Sequence, residues 1–183
     1  MDKKILLGHG SGGRMTHELV RDVFCRYLGD VGPASMDDGA VQEQVEGKIV
    51  FTTDSYVVSP LEFPGGDIGT LAVCGTVNDL AVMGARPLWL SLGVILEAGL
   101  ELMVLQRIVK SIAEKAREAG VRIVCGDTKV VERGKGDGVF INTAGIGIIP
   151  GNVQISGDLA QPGDQILLSG SIADHGVTIL TQR

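Results

Sequence analysis

The chain has 183 residues, enough for one domain or for one domain and part of another. Hydrophobic side chains make up 44% and charged ones 21%, which excludes global disorder, and a net charge of −6 argues against non-specific nucleic-acid binding. Twenty-seven glycines against one Trp, two Tyr and four Phe describe a turn-rich chain whose backbone comes close to something at several points.

In chain order, "LLGHGSGGRMTHELV" comes first. Gly8, Gly10 and Gly13 satisfy G-x-G-x-x-G, and Gly8 with Gly13 satisfies the glycine spacing of a P-loop. Neither template is complete. A dinucleotide fingerprint needs a strand before the loop and an acid about 20 residues further on, but the preceding strand spans at most Lys4 to Leu7 and the region of Asp30 reads as loop. A P-loop needs Lys and then Ser or Thr, where this chain has Arg14 and Met15. Two readings stay open: a flexible segment that caps a helix, or a flap whose backbone N–H groups and Arg14 close over phosphates.

Thr16 is positioned to cap a helix to about Leu28, with Leu19, Val20, Val23, Phe24, Tyr27 and Leu28 as its apolar stripe. "LGDVGPASMDDGAV" is loop chemistry, and "KIVFTTDSYVV" is a β-branched strand with an Asp inside it. Asp67 is expected to cap a helix to about Met83, stopped by Gly84 and apolar enough all round to be buried. "LWLSLGVIL" predicts a strand, and Glu101 to Ala119 an amphipathic helix ended by Gly120. "VRIVC" predicts a short strand feeding a loop "GDTKVVERGKGDG", and "VFINTAGIGIIP" another strand. Residues 150–162 read as a linker, "DQILLSG" as a new strand and "ADHGVTILTQR" as a helix, with Asp174 a candidate cap. Without strict β-α alternation, an α+β fold is expected.

Cys25, Cys74 and Cys125 lack metal-ligand spacing and read as buried, reduced thiols. The start of the chain does not resemble a signal peptide, and the apolar run from Ile68 to Ala85 is broken by Asn78 and Asp79, so a soluble protein of the reducing cytoplasm is expected.

Four acidic sites, one of them a pair of adjacent residues, sit where a carboxylate is costly. Asp54 interrupts an apolar strand, and Asp79 is the only charge between Asp67 and Arg86. Asp127 follows "RIVCG", backed by Thr128 and Lys129, and Asp37 and Asp38 share a turn. Each alone has a local explanation: Asp54 bonding Thr52 or Thr53, Asp79 pairing with Arg86, Asp127 closing a turn. Together they point to a shared cation, and carboxylates without soft ligands select Mg²⁺, which borrows phosphate oxygens. A magnesium-bridged nucleoside triphosphate then accounts for the glycine loop and the acids at once, with Lys129 placed to grip phosphate or aid a proton transfer.

"HGSGG", "FTTDSYVVSPLEFPGGDIG", "CGTVNDLAVMGARP", "GDTKVV", "FINTAGIG" and "DHG" resemble, in order along essentially the whole chain, the HypE family of hydrogenase maturation proteins. That family is similar in turn to aminoimidazole ribonucleotide synthetase, thiamine-monophosphate kinase and selenophosphate synthetase. The resemblance implies an aminoimidazole ribonucleotide synthetase-like α+β domain over residues 1–150, pairing as a homodimer into a barrel, and the start of a second α+β domain over residues 151–183. It implies ATP with Mg²⁺ near the dimer interface and ATP-dependent dehydration of an S-carbamoyl cysteine to a thiocyanate. HypF would be the carbamoyl donor and a HypC–HypD complex the cyano acceptor, for the cyanide ligand of [NiFe]-hydrogenase.

By motif, the resemblance makes Gly10, Ser11, Gly12 and Gly13 the phosphate flap, and Asp54, Asp127 and Thr128 nucleotide-binding residues. Asp38, Asp54, Asp79 and Asp127 become metal ligands, and Lys129 and Asp79 the catalytic side chains. His175, in "DHG", stands apart as a lesser catalytic candidate. Family members run to roughly twice this length and end in an acceptor cysteine. A chain ending at Arg183 is therefore expected to supply the ATP site without completing the reaction alone. A kinase-like phosphotransferase of the same superfamily and a catalytically silent dimerisation module are the other expectations.

Overall fold

In "LWLSLGVIL" the large apolar residues alternate, so an extended chain puts Leu90, Leu92, Val94 and Leu96 on one side, where all are buried. The computed structural model, which describes residues 4–37 and 39–182, makes this stretch the strand β4 (Arg86–Glu97) inside a four-stranded sheet. The others are β1 (Lys48–Tyr56), β5 (Arg122–Val131) and β6 (Val139–Ile149), in the order β1-β6-β4-β5. β4 and β5 are parallel, and β6 runs antiparallel to both β4 and β1. A two-stranded ribbon, β2 (Glu62–Phe63) with β3 (Gly66–Asp67), stands apart.

Two helices cover one face. α3 (Ile68–Val82) starts where expected, because the Asp67 carboxylate accepts Thr70 N–H at 2.7 Å. α4 (Leu102–Ala119) buries Leu105, Ile108, Val109, Ile112, Ala113 and Ala116 and stops at Gly120, which takes the left-handed conformation at φ 66°. α4 is the crossover that lets β5 lie parallel to β4. α3 and α4 approach closely at Gly69, where an added Cβ would stand 2.6 Å from the Ile108 carbonyl oxygen.

The amino-terminal segment closes the edge of the layer beside β5. It runs as α1 (Arg14–Leu19), a π-helical stretch Val20–Cys25 and α2 (Arg26–Leu28), and buries Leu19, Val23, Phe24 and Leu28 in the core. The fold is α+β with a mixed sheet, as the order of elements implied.

Several expectations are corrected. The first helix begins at Arg14, not Thr16; the Thr16 hydroxyl instead accepts Gly12 N–H at 2.9 Å, tying the loop to the helix. α3 is not buried all round: Val82 is 66% exposed, because sheet and α4 cover only one side of it. β5 does not stop at Cys125 but runs through Gly126–Val131, because those residues continue the ladder along β4. "DQILLSG" forms no strand, and Ile166 and Leu167 stay exposed with no neighbouring strand to pair with among the described residues. The helix α5 (Asp174–Thr181) forms, but Asp174 is its first residue and not its cap, with its carboxylate accepting the Ser171 hydroxyl. The three cysteines are free but only half-buried.

Asp67→Ala removes the cap of α3 and is expected to cost about 1 kcal/mol, read as a drop of a few degrees in Tm, while Asp67→Ser keeps most of the stability. The Glu97 carboxylate accepts Gly134 N–H at 2.6 Å and Gly138 N–H at 3.1 Å, and these two bonds, Gly134 first, hold its carboxyl below the usual carboxylate range. The folded value lies below the unfolded one, so this contribution is full above the ordinary carboxylate range and is lost as pH falls through the folded value. Protection of the Gly134 and Gly138 amides, relative to their intrinsic exchange rates, is expected to fall in that acid window, and Glu97→Gln to remove this pH-dependent change in protection.

Candidate functional site at the glycine loop

The glycine loop is packed, not loose. Leu6 N–H donates to Nδ1 of the buried His9 at 2.9 Å, and the Ser11 hydroxyl donates to the Gly8 carbonyl at 2.9 Å. Gly10 lies directly on β5, where a Cβ would collide with the Val130 backbone nitrogen. Gly13 is the cap residue of α1, so the open N–H groups of that helix begin at the loop. Arg14 does not reach over the loop; it pairs with Glu18 at 3.5 Å on an exposed helix face.

Between this loop and β5 lies a cavity of about 360 Å³. Gly10, Gly12 and Thr16 line it from the loop, Val20, Phe24 and Cys25 from the helix behind, and Cys125 through Lys129 from β5. Asp37 closes it from the acidic turn. Asp38, expected to bind metal, lies outside the described residues. Continuation of β5 past Cys125 is what carries Asp127, Thr128 and Lys129 to this wall.

At the wall, Lys129 Nζ stands 3.8 Å from Asp127 Oδ2, and Thr128 N–H donates to Asp127 Oδ1 at 2.9 Å. Both charged side chains are largely exposed, so this ion pair contributes little to stability and leaves each group available to a ligand.

The remaining acids are elsewhere. Asp54 and Asp79 share the opposite edge of the sheet, where the Thr52 hydroxyl donates to Asp79 Oδ2 at 3.0 Å and Ser55 N–H to Asp54 Oδ1 at 2.7 Å. The partners considered from the sequence, Thr52 or Thr53 for Asp54 and Arg86 for Asp79, are not the ones found. β6 and β4 separate this edge from β5, a distance of about 14 Å at normal strand spacing. The register also divides the faces. Asp54 pairs with buried Thr143 and points to the helices, whereas Asp127 pairs with Gly93 and points to the open face. Among the described residues no three His, Cys, Asp or Glu groups gather into a metal cluster. One chain therefore brings together the loop, Asp37, Asp127, Thr128 and Lys129, and keeps Asp54 and Asp79 apart from them. His175 lies away from the cavity, with its ring 5.5 Å from that of Phe63.

Some polar residues went unnoticed in the sequence. Tyr56, Thr76 and Thr143 form a buried hydroxyl chain under the Asp54 edge, and burial pushes the Tyr56 phenol up. Asn142 Nδ2 reaches the Asp54 carbonyl at 2.9 Å and the Ser55 hydroxyl at 3.0 Å. The signal that would have found them is Asn142-Thr143 interrupting the apolar "VFI…AGIGII".

Residues 36–149 match the family described as AIR synthase related protein, N-terminal domain, so the chain belongs to that family. Within it, the chain is similar to HypE. It is 58% identical to the carbamoyl dehydratase HypE of Azotobacter vinelandii over 96% of this chain and 51% of that protein. A solved structure of hydrogenase maturation protein HypE in complex with ATP superimposes with a TM-score of 0.92 at 55% identity, over 97% of this chain and 52% of the other. HypE in a HypE–HypF complex matches with a TM-score of 0.73 at 47% identity, over 93% of this chain and 53% of the other. The chain thus spans about half the length of the curated relatives it matches. Among the described residues no helix is long and apolar enough to cross a membrane.

Gly10→Ala must push the loop off β5. It is expected to destabilise by about 1–3 kcal/mol in a denaturant titration, whereas Gly12→Ala, with open space around it but φ of +79°, strains only the loop itself.

Proposed function

We propose that this chain supplies the ATP site of a cytoplasmic carbamoyl dehydratase of the HypE type, which converts an S-carbamoyl cysteine to a thiocyanate during cyanide-ligand synthesis for [NiFe]-hydrogenase. The observation that carries the reading is the cavity at which Gly10, Gly12, Asp37, Asp127, Thr128 and Lys129 meet. The ATP complex of the similar HypE structure supports ATP as the ligand, and the HypE–HypF complex supports HypF as the carbamoyl donor. A HypC–HypD complex as cyano acceptor completes the reading.

Mg²⁺ fits the donor set. It asks for hard oxygen ligands and needs only one or two carboxylates beside phosphate oxygens and waters. Asp37 and Asp127 meet that need at the cavity, with Asp38 the further candidate from the same turn. ATP, when bound, supplies the phosphoryl group that makes the carbamoyl oxygen able to leave. The protein's own part is electrostatic. Lys129, steered by Asp127, offsets negative charge gathering at the cavity wall, and the loop and the N-terminal N–H groups of α1 hold the phosphates.

Homodimerisation is part of the proposal, with residues 1–150 as the ATP-binding and dimerisation domain and 151–183 as the linker and start of a second domain. The sheet's uncovered face supports it. Phe51, Ile146 and Trp89 form one apolar row there by register, and Ile49 and Phe51 are each 66% exposed. Asp54 and Asp79 are metal ligands by family resemblance alone, since one chain separates them from Asp127.

Calorimetric titration of this chain with ATP is expected to show binding that needs Mg²⁺, and Lys129→Ala to weaken it at least about tenfold, or about 1.4 kcal/mol. A folded dimer without Mg²⁺-dependent binding would instead be a dimerisation module, and a phosphorylated free metabolite from a complete chain would identify a kinase.

A further inference from the structure

Two of the three cysteines line the same cavity, although about a hundred residues separate them. Cys25 arrives from the end of the π-helical stretch and Cys125 from β5, immediately before Gly126 and Asp127. Both are free and half-buried, so neither is sealed in the core. We propose that Cys25 and Cys125 make this cavity a thiol-modification site for small uncharged disulfides, and that an adduct there excludes the nucleotide. The second clause rests on the nucleotide reading above; the first does not.

The chemistry is thiol–disulfide exchange. A cysteine thiolate attacks one sulfur of the small disulfide, the disulfide bond breaks, a mixed disulfide forms, and the departing thiolate takes up the proton the cysteine released. The small disulfide is the only oxidant required. Space supplies the consequence. A cavity of about 360 Å³ is at the lower end of the range for ligand pockets, so an adduct on its wall competes directly with a bound nucleotide. Cys74 is the built-in control. It sits on α3 away from the cavity, and burial pushes its thiol up, which leaves less thiolate to react.

The test treats the folded chain with 2-hydroxyethyl disulfide and follows each cysteine by peptide mass mapping, with Mg²⁺–ATP calorimetry before treatment, after it, and after dithiothreitol. Cys25 and Cys125 are expected to react at least about tenfold faster than Cys74. Each single Ser variant should lose only its own adduct. ATP affinity should fall at least about tenfold on treatment and return with dithiothreitol. In the Cys25→Ser, Cys125→Ser double variant, treatment should leave the titration where it was for that variant. Equal labelling of Cys74 overturns the site, and full labelling of both cavity thiols with unmoved ATP affinity overturns the exclusion. If the untreated chain binds no ATP, the nucleotide reading fails, while the relative labelling rates still decide the thiol site.

Discussion

Parallel pairing of β5 with β4 is the constraint on which the candidate site depends. β4 is held in place by its buried residues Leu90, Leu92, Val94 and Leu96, and α4 returns the chain so that β5 can lie alongside. Backbone hydrogen bonds then carry the ladder past Cys125 to Val131. A strand that ended at Cys125 would release Gly126 through Lys129 as a loop. The cavity wall would lose its polar half, and Gly10 would lose the surface on which it rests. The extra residue Val124, where the ladder shifts between Leu90 and Ser91, sets the register of everything beyond it.

That register also separates the acids into two sets. A side-chain period of two means that Asp54, level with buried Thr143, faces the helices, while Asp127, level with Gly93, faces away from them. In the first set Asp79 accepts the Thr52 hydroxyl and Asp54 accepts Ser55 N–H; in the second Asp127 accepts Thr128 N–H and faces Lys129. The two sets differ in place more than in partners: only the second lines the cavity beside the glycine loop, and so the cavity carries the functional reading.

The amino-terminal segment gives the site its other wall. His9 is buried and its ring is an internal acceptor for Leu6 N–H, so a loop of four glycines in six residues (8–13) is anchored at its start by a single side chain. Thr16, read from the sequence as a helix cap, instead reaches back to Gly12. Behind it the π-helical stretch Val20–Cys25 brings Val20, Phe24 and Cys25 to the cavity while Val23 stays in the core. Such π segments are rare and recur at functional sites.

Local chemistry made much of the fold legible. Asp67 as a cap, Gly120 as a stop, the stripe of Leu105, Ile108 and Ile112, and the alternation around Leu92 each depend on neighbours within a few positions, so the one-dimensional pattern carries them. The family resemblance was legible for the same reason, through short motifs. What the sequence by itself determined is thus the set of elements and the residue types that could bind a phosphate. Tertiary structure alone decided where β5 ends, which face Asp54 and Asp127 take, and that Cys25 and Cys125 share a cavity. These depend on pairing register and on packing between segments up to a hundred residues apart, and no local pattern encodes the partner a strand edge will find.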